Sequence, residues 1–265
     1  MIADQTAAIA DVAPSAVRLP AVRTADGAQT TDVIRGPALG SNGNARAEPV
    51  IAIAHDYLTQ RGGAERVVLA MLRAFPNAKL YTTLYDPDGT FPEFRGADII
   101  VSPLNRIGAL RRNHRLALPL LAVASSRMHI PADVVIASSS GWAHGFRSSG
   151  RMIVYCHTPA RWLYLNEEYL GGVTGPSLKR AVLSLLKPAL ARWDGRAAAR
   201  ADRYLANATE VRERIRRVYG REAPVIFPPH SVDTHGAQEA VPGLEEFASG
   251  SEYFLLVSRL LPYKN

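Results

Sequence analysis

A chain of 265 residues with 47% hydrophobic and 8% aromatic side chains can bury a sizeable core, which excludes wholesale disorder and allows one large domain or one domain with part of another. Its 31 Lys and Arg against 24 Asp and Glu leave a formal net charge of +7, a balance that favours anionic partners; without a zinc-finger, aromatic-basic or basic-zipper pattern, nucleic acid is the weakest of these. The single cysteine, Cys156, excludes a disulfide framework and fits a reducing compartment, and no His/Cys cluster has metal-ligand spacing.

Residues 1–48 are rich in Ala, Thr, Gly, Asp and Asn without a sustained period, and read as a leader outside the fold. Their start carries Asp4 and Asp11 and lacks the apolar core of a targeting segment. Order is expected to begin at PVIAIAHDY, where 50–54 is a wholly apolar run of the kind that forms a central parallel strand. A turn with Gly62 and Gly63 follows; Ala64, Val67, Val68, Met71, Leu72 and Phe75 then recur at helical spacing. Further strands are expected over AKLYTTLY, ADIIVS, ADVVIAS, RMIVYC, DRYLAN and APVIFPP. Arg-rich helical segments are expected over 104–128, a long helix over 176–200 and another over 209–220. Residues 231–250 read as a linker and EYFLLVS as a last strand. The longest strongly apolar run, 116–124, contains Pro119 and is too short to cross ~30 Å of hydrocarbon.

Strands alternating with helices predict an α/β fold: a Rossmann-like parallel sheet with helices on both faces. Ligands of such sheets bind beyond the carboxyl ends of the strands. The informative positions are therefore 55–56, the Gly62–Gly63 pair, 138–141, 157–158, Asn207 and Arg259.

Three stretches could carry chemistry. In HDYLTQRGGAERVV, the glycine pair enters a helix whose free N–H groups and positive dipole suit a phosphate; a tight turn needing positive φ explains the same pair. The pattern is not G-x-G-x-x-G, which weakens a nicotinamide-dependent dehydrogenase reading. In YCHTPARW, His157 directly follows a buried strand and can hydrogen-bond a sugar or phosphate oxygen, or merely satisfy loop backbone; Pro159 can open the next helix. In FLLVSRLLPYKN, Arg259 and Lys264 can grip phosphate oxygens, or stand as solvated surface cations.

Together with ANATEVRERIRRVYGREAPVIFPPHSVD, these stretches resemble, in order and over about residues 50–265, the N-terminal half of a family-4 glycosyltransferase with the GT-B fold. The most similar subgroup makes bacterial cell-surface polysaccharides and glycolipids, often with GDP-mannose as donor. The resemblance implies two Rossmann-like domains with the active site between them, and a retaining reaction that needs neither metal nor cofactor beyond the nucleotide-sugar co-substrate. It implies that Gly62 and Gly63 face the donor diphosphate and that His157 is the catalytic residue beside the transferred sugar. Arg259 and Lys264 would neutralise the leaving diphosphate, and Asp56, Tyr57 and Arg161 would lie on the acceptor side. The implied partners are a nucleotide-sugar and a lipid-linked or polysaccharide acceptor. The implied domains are an acceptor-side domain over 49–230 and the truncated start of a donor-binding domain over 251–265. The family's later stretch with two glutamates is missing, so this chain is expected to be an incomplete fragment without turnover. The alternative is a non-catalytic module that binds membrane or nucleotide.

The 104–128 segment carries Arg106, Arg111, Arg112, Arg115 and Arg127 and no acid. Arg111, Arg112 and Arg115 are the expected contacts with an anionic membrane surface. A second basic segment, with Lys179, Arg180, Lys187 and Arg192, flanks an apolar stripe expected to pack on the sheet. The expected location is cytoplasmic, with a peripheral position at the inner face of the plasma membrane.

Overall fold

The computed structural model describes residues 48–164 and 178–229. Short apolar runs form strands β1 (Ile51–His55), β2 (Lys79–Thr82), β3 (Ile99–Val101), β5 (Val134–Ser139), β7 (Arg151–Cys156) and β8 (Arg203–Ala206). They pair in the order β3-β2-β1-β5-β7-β8, every pair parallel. Strands β4 (His129–Ile130) and β6 (Arg147–Ser148) make a separate parallel pair. The helices are α1 (Gly63–Ala74), α2 (Gly108–Arg112), α3 (His114–Arg127), α4 (Arg161–Tyr164), α5 (Leu178–Arg200) and α6 (Thr209–Tyr219).

Parallel strands covered on both faces must be apolar on both, and β1 is. Ile53 packs with Leu58, Val68, Leu80 and Phe94 on the α1 side. Ala52 and Ala54 face the other way, in a cluster with Val135, Ala137, Val154, Val211 and Ile215 that brings in α6. A third cluster, with Leu121, Trp142, Leu163 and Leu190, joins α3, α4 and α5. The chain thus adopts the expected Rossmann-like α/β fold.

From β1 the chain moves outward to β2 and β3, then returns to build β5, β7 and β8 on the other side of β1. That reversal makes the C-terminal ends of β1 and β5 the switch point at which open sheets of this kind bind ligands. In the register of the two strands, His55 lies opposite Ser138.

Several boundaries differ from expectation. The second strand stops at Thr82, because Thr83 turns to donate from both its N–H and its hydroxyl to the Asp56 carbonyl. APVIFPP makes only an isolated bridge, Val225 to Ala206; Pro224, Pro228 and Pro229 have no N–H to extend a ladder. The helix after His157 opens at Arg161 rather than at Pro159. Helix α6 ends where Gly220 takes the left-handed conformation, φ 63°, and its N–H caps the Arg216 carbonyl. The expected linker, the last strand, Arg259 and Lys264 lie outside the described residues, as do residues 1–47 of the expected leader.

Candidate active site

The site grows from three strand ends and one helix start. Strand β1 delivers His55, β5 delivers Ser138, and the residue after β7 is His157, whose N–H donates to the Ser139 carbonyl at 2.9 Å. His55 Nδ1 lies 3.1 Å from both the Ser138 carbonyl oxygen and Ser138 Oγ. Ser138 Oγ in turn lies 2.8 Å from His157 Nε2. On its other side, His55 Nε2 is 3.8 Å from Glu65 Oε1 in the first turn of α1, and Gln60 Nε2 donates to the same oxygen at 3.1 Å. His55, Glu65 and Ser138 are 2%, 1% and 0% exposed, while His157 is half-buried. The four side chains form one continuous row, Glu65–His55–Ser138–His157.

The electrostatics follow from that row. Burial opposes the charged form of His55, but the Glu65 carboxylate, then Asp56 and the Ser138 carbonyl, outweigh it and raise its pKa above the ordinary histidine value. Burial likewise opposes ionised Glu65, yet His55 holds its pKa below the usual carboxylate value. Both shifts favour the charged pair. His157 goes the other way. Burial first, and then the charges of His55 and Arg161 working against Glu65, lower it to about 3, so it is a neutral imidazole at physiological pH.

Gly62 is the N-cap of α1 with φ −122° and ψ 177°, and Gly63 is the first helical residue. Positive φ among the described glycines occurs only at Gly141 and Gly220, which overturns the tight-turn explanation of the pair. Gly62 serves close approach instead: a Cβ there would stand 2.5 Å from Glu65 Oε2. Gly63 has open space around its Cβ position. The α1 N-terminus therefore faces the strand ends, with the Glu65 carboxylate already offsetting part of its dipole.

Asp56, expected on the acceptor side, is a buried anchor. Its carboxyl oxygens accept the N–H groups of Ser140 at 2.6 Å, Trp142 at 3.0 Å and Ala143 at 2.6 Å, and the Ser139 hydroxyl at 3.4 Å. The residue is 2% exposed, so those lone pairs are committed within the protein. The loop it gathers includes Gly141, at φ 129°, where a Cβ would lie 2.7 Å from that of Ala160. Asp56 thus presses the loop after β5 against the segment that follows His157.

The remaining expected residues scatter. Arg161 opens α4, and its charge is felt at His157. Tyr57 stacks on His114, ring centroids 4.2 Å apart at 16°, and His114 Nδ1 lies 2.9 Å from Thr59 Oγ1. These contacts tie the loop after β1 to the start of α3. Arg111 is half-buried and its Nη1 reaches the Asn105 carbonyl at 3.5 Å, whereas Arg112 is exposed. The Arg115 side chain lies outside the described residues, as do Arg259 and Lys264.

Glu65 and the role of Ser138 were missed in the sequence, and so was a second buried pair. His144 Nε2 meets Asp194 Oδ1 at 3.0 Å, Ser139 Oγ meets His144 Nδ1 at 3.1 Å, and Tyr164 OH donates to Asp194 Oδ2 at 2.7 Å. A signal existed for both acids. Glu65 falls on the apolar phase of α1 three residues before Val68, and Asp194 four after Leu190. Among the described residues no group of three or more His, Cys, Asp or Glu is placed to hold a metal ion. A family model described as Glycosyltransferase Family 4 matches residues 61–235, more than half of the chain. No curated protein matches it.

Proposed function

The chain belongs to glycosyltransferase family 4, and on that premise we propose that it serves the transfer of a hexose, with GDP-mannose as the first candidate donor, from a nucleotide-sugar to a lipid-linked or polysaccharide acceptor, with retention and without a metal. The observation that carries this reading is the neutral His157 just after β7, next to the switch point of the sheet, beside the Arg161 charge and joined through Ser138 and His55 to the start of α1. A neutral imidazole there hydrogen-bonds a sugar hydroxyl without repelling a nearby cation. As the glycosidic bond breaks, negative charge grows on the departing diphosphate. Fixed N–H donors at Gly62–Gly63, with Arg259 and Lys264 as the proposed cations, stabilise that charge more than they stabilise the bound ground state.

The test pairs two measurements. Calorimetric titration with GDP-mannose and other sugar nucleotides reads binding, and labelled donors with a lipid-linked acceptor extract read transfer. Donor-specific binding with transfer that survives a chelator is the expected result for the enzyme. Binding without transfer would favour a non-catalytic nucleotide-binding module, and absence of both would overturn the proposal.

A second reading, peripheral contact with an anionic membrane, is favoured by one specific observation. Leu116, Leu120 and Val123 on α3 are 53%, 44% and 48% exposed and recur at helical spacing, and Arg106, Arg112 and Arg127 nearby are also exposed. Among the described residues no helix is long and apolar enough to cross a membrane, so this stripe would lie on the surface. Half-exposed aliphatic side chains gain about 1 kcal/mol each on insertion, and three correspond to roughly a hundredfold in binding. Leu116→Ser/Leu120→Ser/Val123→Ser is therefore expected to lose most binding in vesicle co-sedimentation, and Arg112→Glu to weaken it only at low salt. Undiminished binding of the triple variant would exclude this face as the contact.

A further inference from the structure

The row Glu65–His55–Ser138–His157 has a direction, which its atoms determine. A backbone carbonyl only accepts, so the 3.1 Å contact with the Ser138 oxygen requires hydrogen on His55 Nδ1. The ionised Glu65 carboxylate, 3.8 Å from His55 Nε2, is too far for a hydrogen bond but favours hydrogen there as well. His55 thus carries hydrogen on Nδ1, the Glu65 charge favours the imidazolium, and Nδ1–H is also what His55 presents to Ser138 Oγ. The serine hydroxyl hydrogen is then left for a single acceptor, His157 Nε2 at 2.8 Å. Were hydrogen on His157 Nε2 instead, Ser138 Oγ would face two N–H donors. Its own hydrogen would then have no acceptor in this row, at a fully buried position.

We propose that His55 and Ser138 are positioning residues that fix His157 as the Nδ1–H tautomer, with Glu65 holding the charge on His55, so that His157 meets its ligand through a hydrogen-bond donor. The proposal rests on the reading that His157 faces the sugar, and deepens it: the ligand atom it recognises is an oxygen lone pair, of a sugar hydroxyl or a phosphate. The charged pair behind Ser138 supplies the polarity, and Gly62 supplies the room, since a Cβ there would collide with Glu65 Oε2 at 2.5 Å. The groups facing His157 from neighbouring elements agree. His55 from β1 and Arg161 from α4 oppose a second proton on the ring, Glu65 from α1 only partly offsets them, and the Tyr155 ring of β7 packs edge-on at 5.3 Å.

The experiment reads ring nitrogens directly, by long-range proton–nitrogen correlation spectroscopy of the full chain labelled with ¹⁵N-histidine. His157 is identified by the signals lost in His157→Gln. The expected spectrum shows His157 protonated at Nδ1 and bare at Nε2 from pH 5 to 8, and His55 protonated at both nitrogens at the acid end of that range. Ser138→Ala is expected to release the lock and turn His157 into a mixture dominated by the Nε2–H form. Glu65→Gln should lower the pH at which His55 loses its second proton and leave His157 as the Nδ1–H form, because the Ser138 carbonyl still holds hydrogen on His55 Nδ1. Wild-type His157 with hydrogen on Nε2 would overturn the proposal, as would an unchanged His157 signal in Ser138→Ala or a His55 titration unmoved by Glu65→Gln. Should Ser138→Ala fail to fold, the wild-type spectrum and Glu65→Gln still decide. No substrate enters this measurement, so its failure leaves the transferase reading standing, and a failed transfer assay leaves the tautomer result standing.

Discussion

Asp56→Ala is expected to cost about 3–5 kcal/mol of folding stability, because the buried Trp142 and Ala143 amides and the part-buried Ser140 amide lose their acceptor. A single buried donor left without a partner costs about 1–3 kcal/mol, and two such donors, with the part-buried Ser140 amide, share this one side chain. For a domain of 150–250 residues that corresponds to a fall of roughly 10 °C or more in Tm. Asp56→Asn keeps one acceptor oxygen and turns the other position into a donor facing donors, so it is expected to fall between wild type and alanine. Denaturant unfolding followed by far-ultraviolet circular dichroism measures both variants. A loss under about 1 kcal/mol for Asp56→Ala would mean that the loop after β5 holds itself together and that Asp56 is free to act elsewhere.

His157→Ala carries the largest expected effect on activity. In the transfer-competent enzyme it is expected to lower kcat by about a hundredfold, the order of magnitude associated with loss of one preorganised donor in a reaction centre. The fold should suffer less. The ring is half-buried, and its loss leaves only the buried Ser138 hydroxyl without its acceptor, a cost of about 1–3 kcal/mol that water entering the vacated site lowers. The comparison needs kcat, KM and Tm together. A drop in kcat with little change in Tm supports action on the transition state. Full activity, or a loss of stability that matches the loss of activity, would refute the assignment. This outcome separates His157 from Asp56, for which stability is expected to fall first.

The sheet was legible because its cause is local. The apolar runs in β1, β5 and β7, each followed by turn or helix signals, suffice to predict parallel strands covered on both sides, and the rule that ligands sit beyond strand ends pointed at His55, Ser138 and His157. Gly62–Gly63 was legible as a helix start but not in its reason. Whether a glycine serves positive φ or close approach depends on what lies over it, and here that is a carboxylate three residues on.

The sequence by itself determined the α/β architecture, the basic character of the 104–128 segment and the position of His157 after a buried strand. Only the tertiary structure decided which of those residues act together. Ser138 is 83 residues from His55 and 19 from His157, and they meet because β5 lies between β1 and β7 with His55 in register with Ser138. The same register brings Asp56 under the loop after β5, 84 to 87 residues away. That makes an expected acceptor contact into an anchor, and it lets Glu65, read only as part of a helical turn, stand behind the candidate histidine. Hydrophobic period is written in neighbouring residues, whereas strand order and register are settled by packing between segments far apart in the chain.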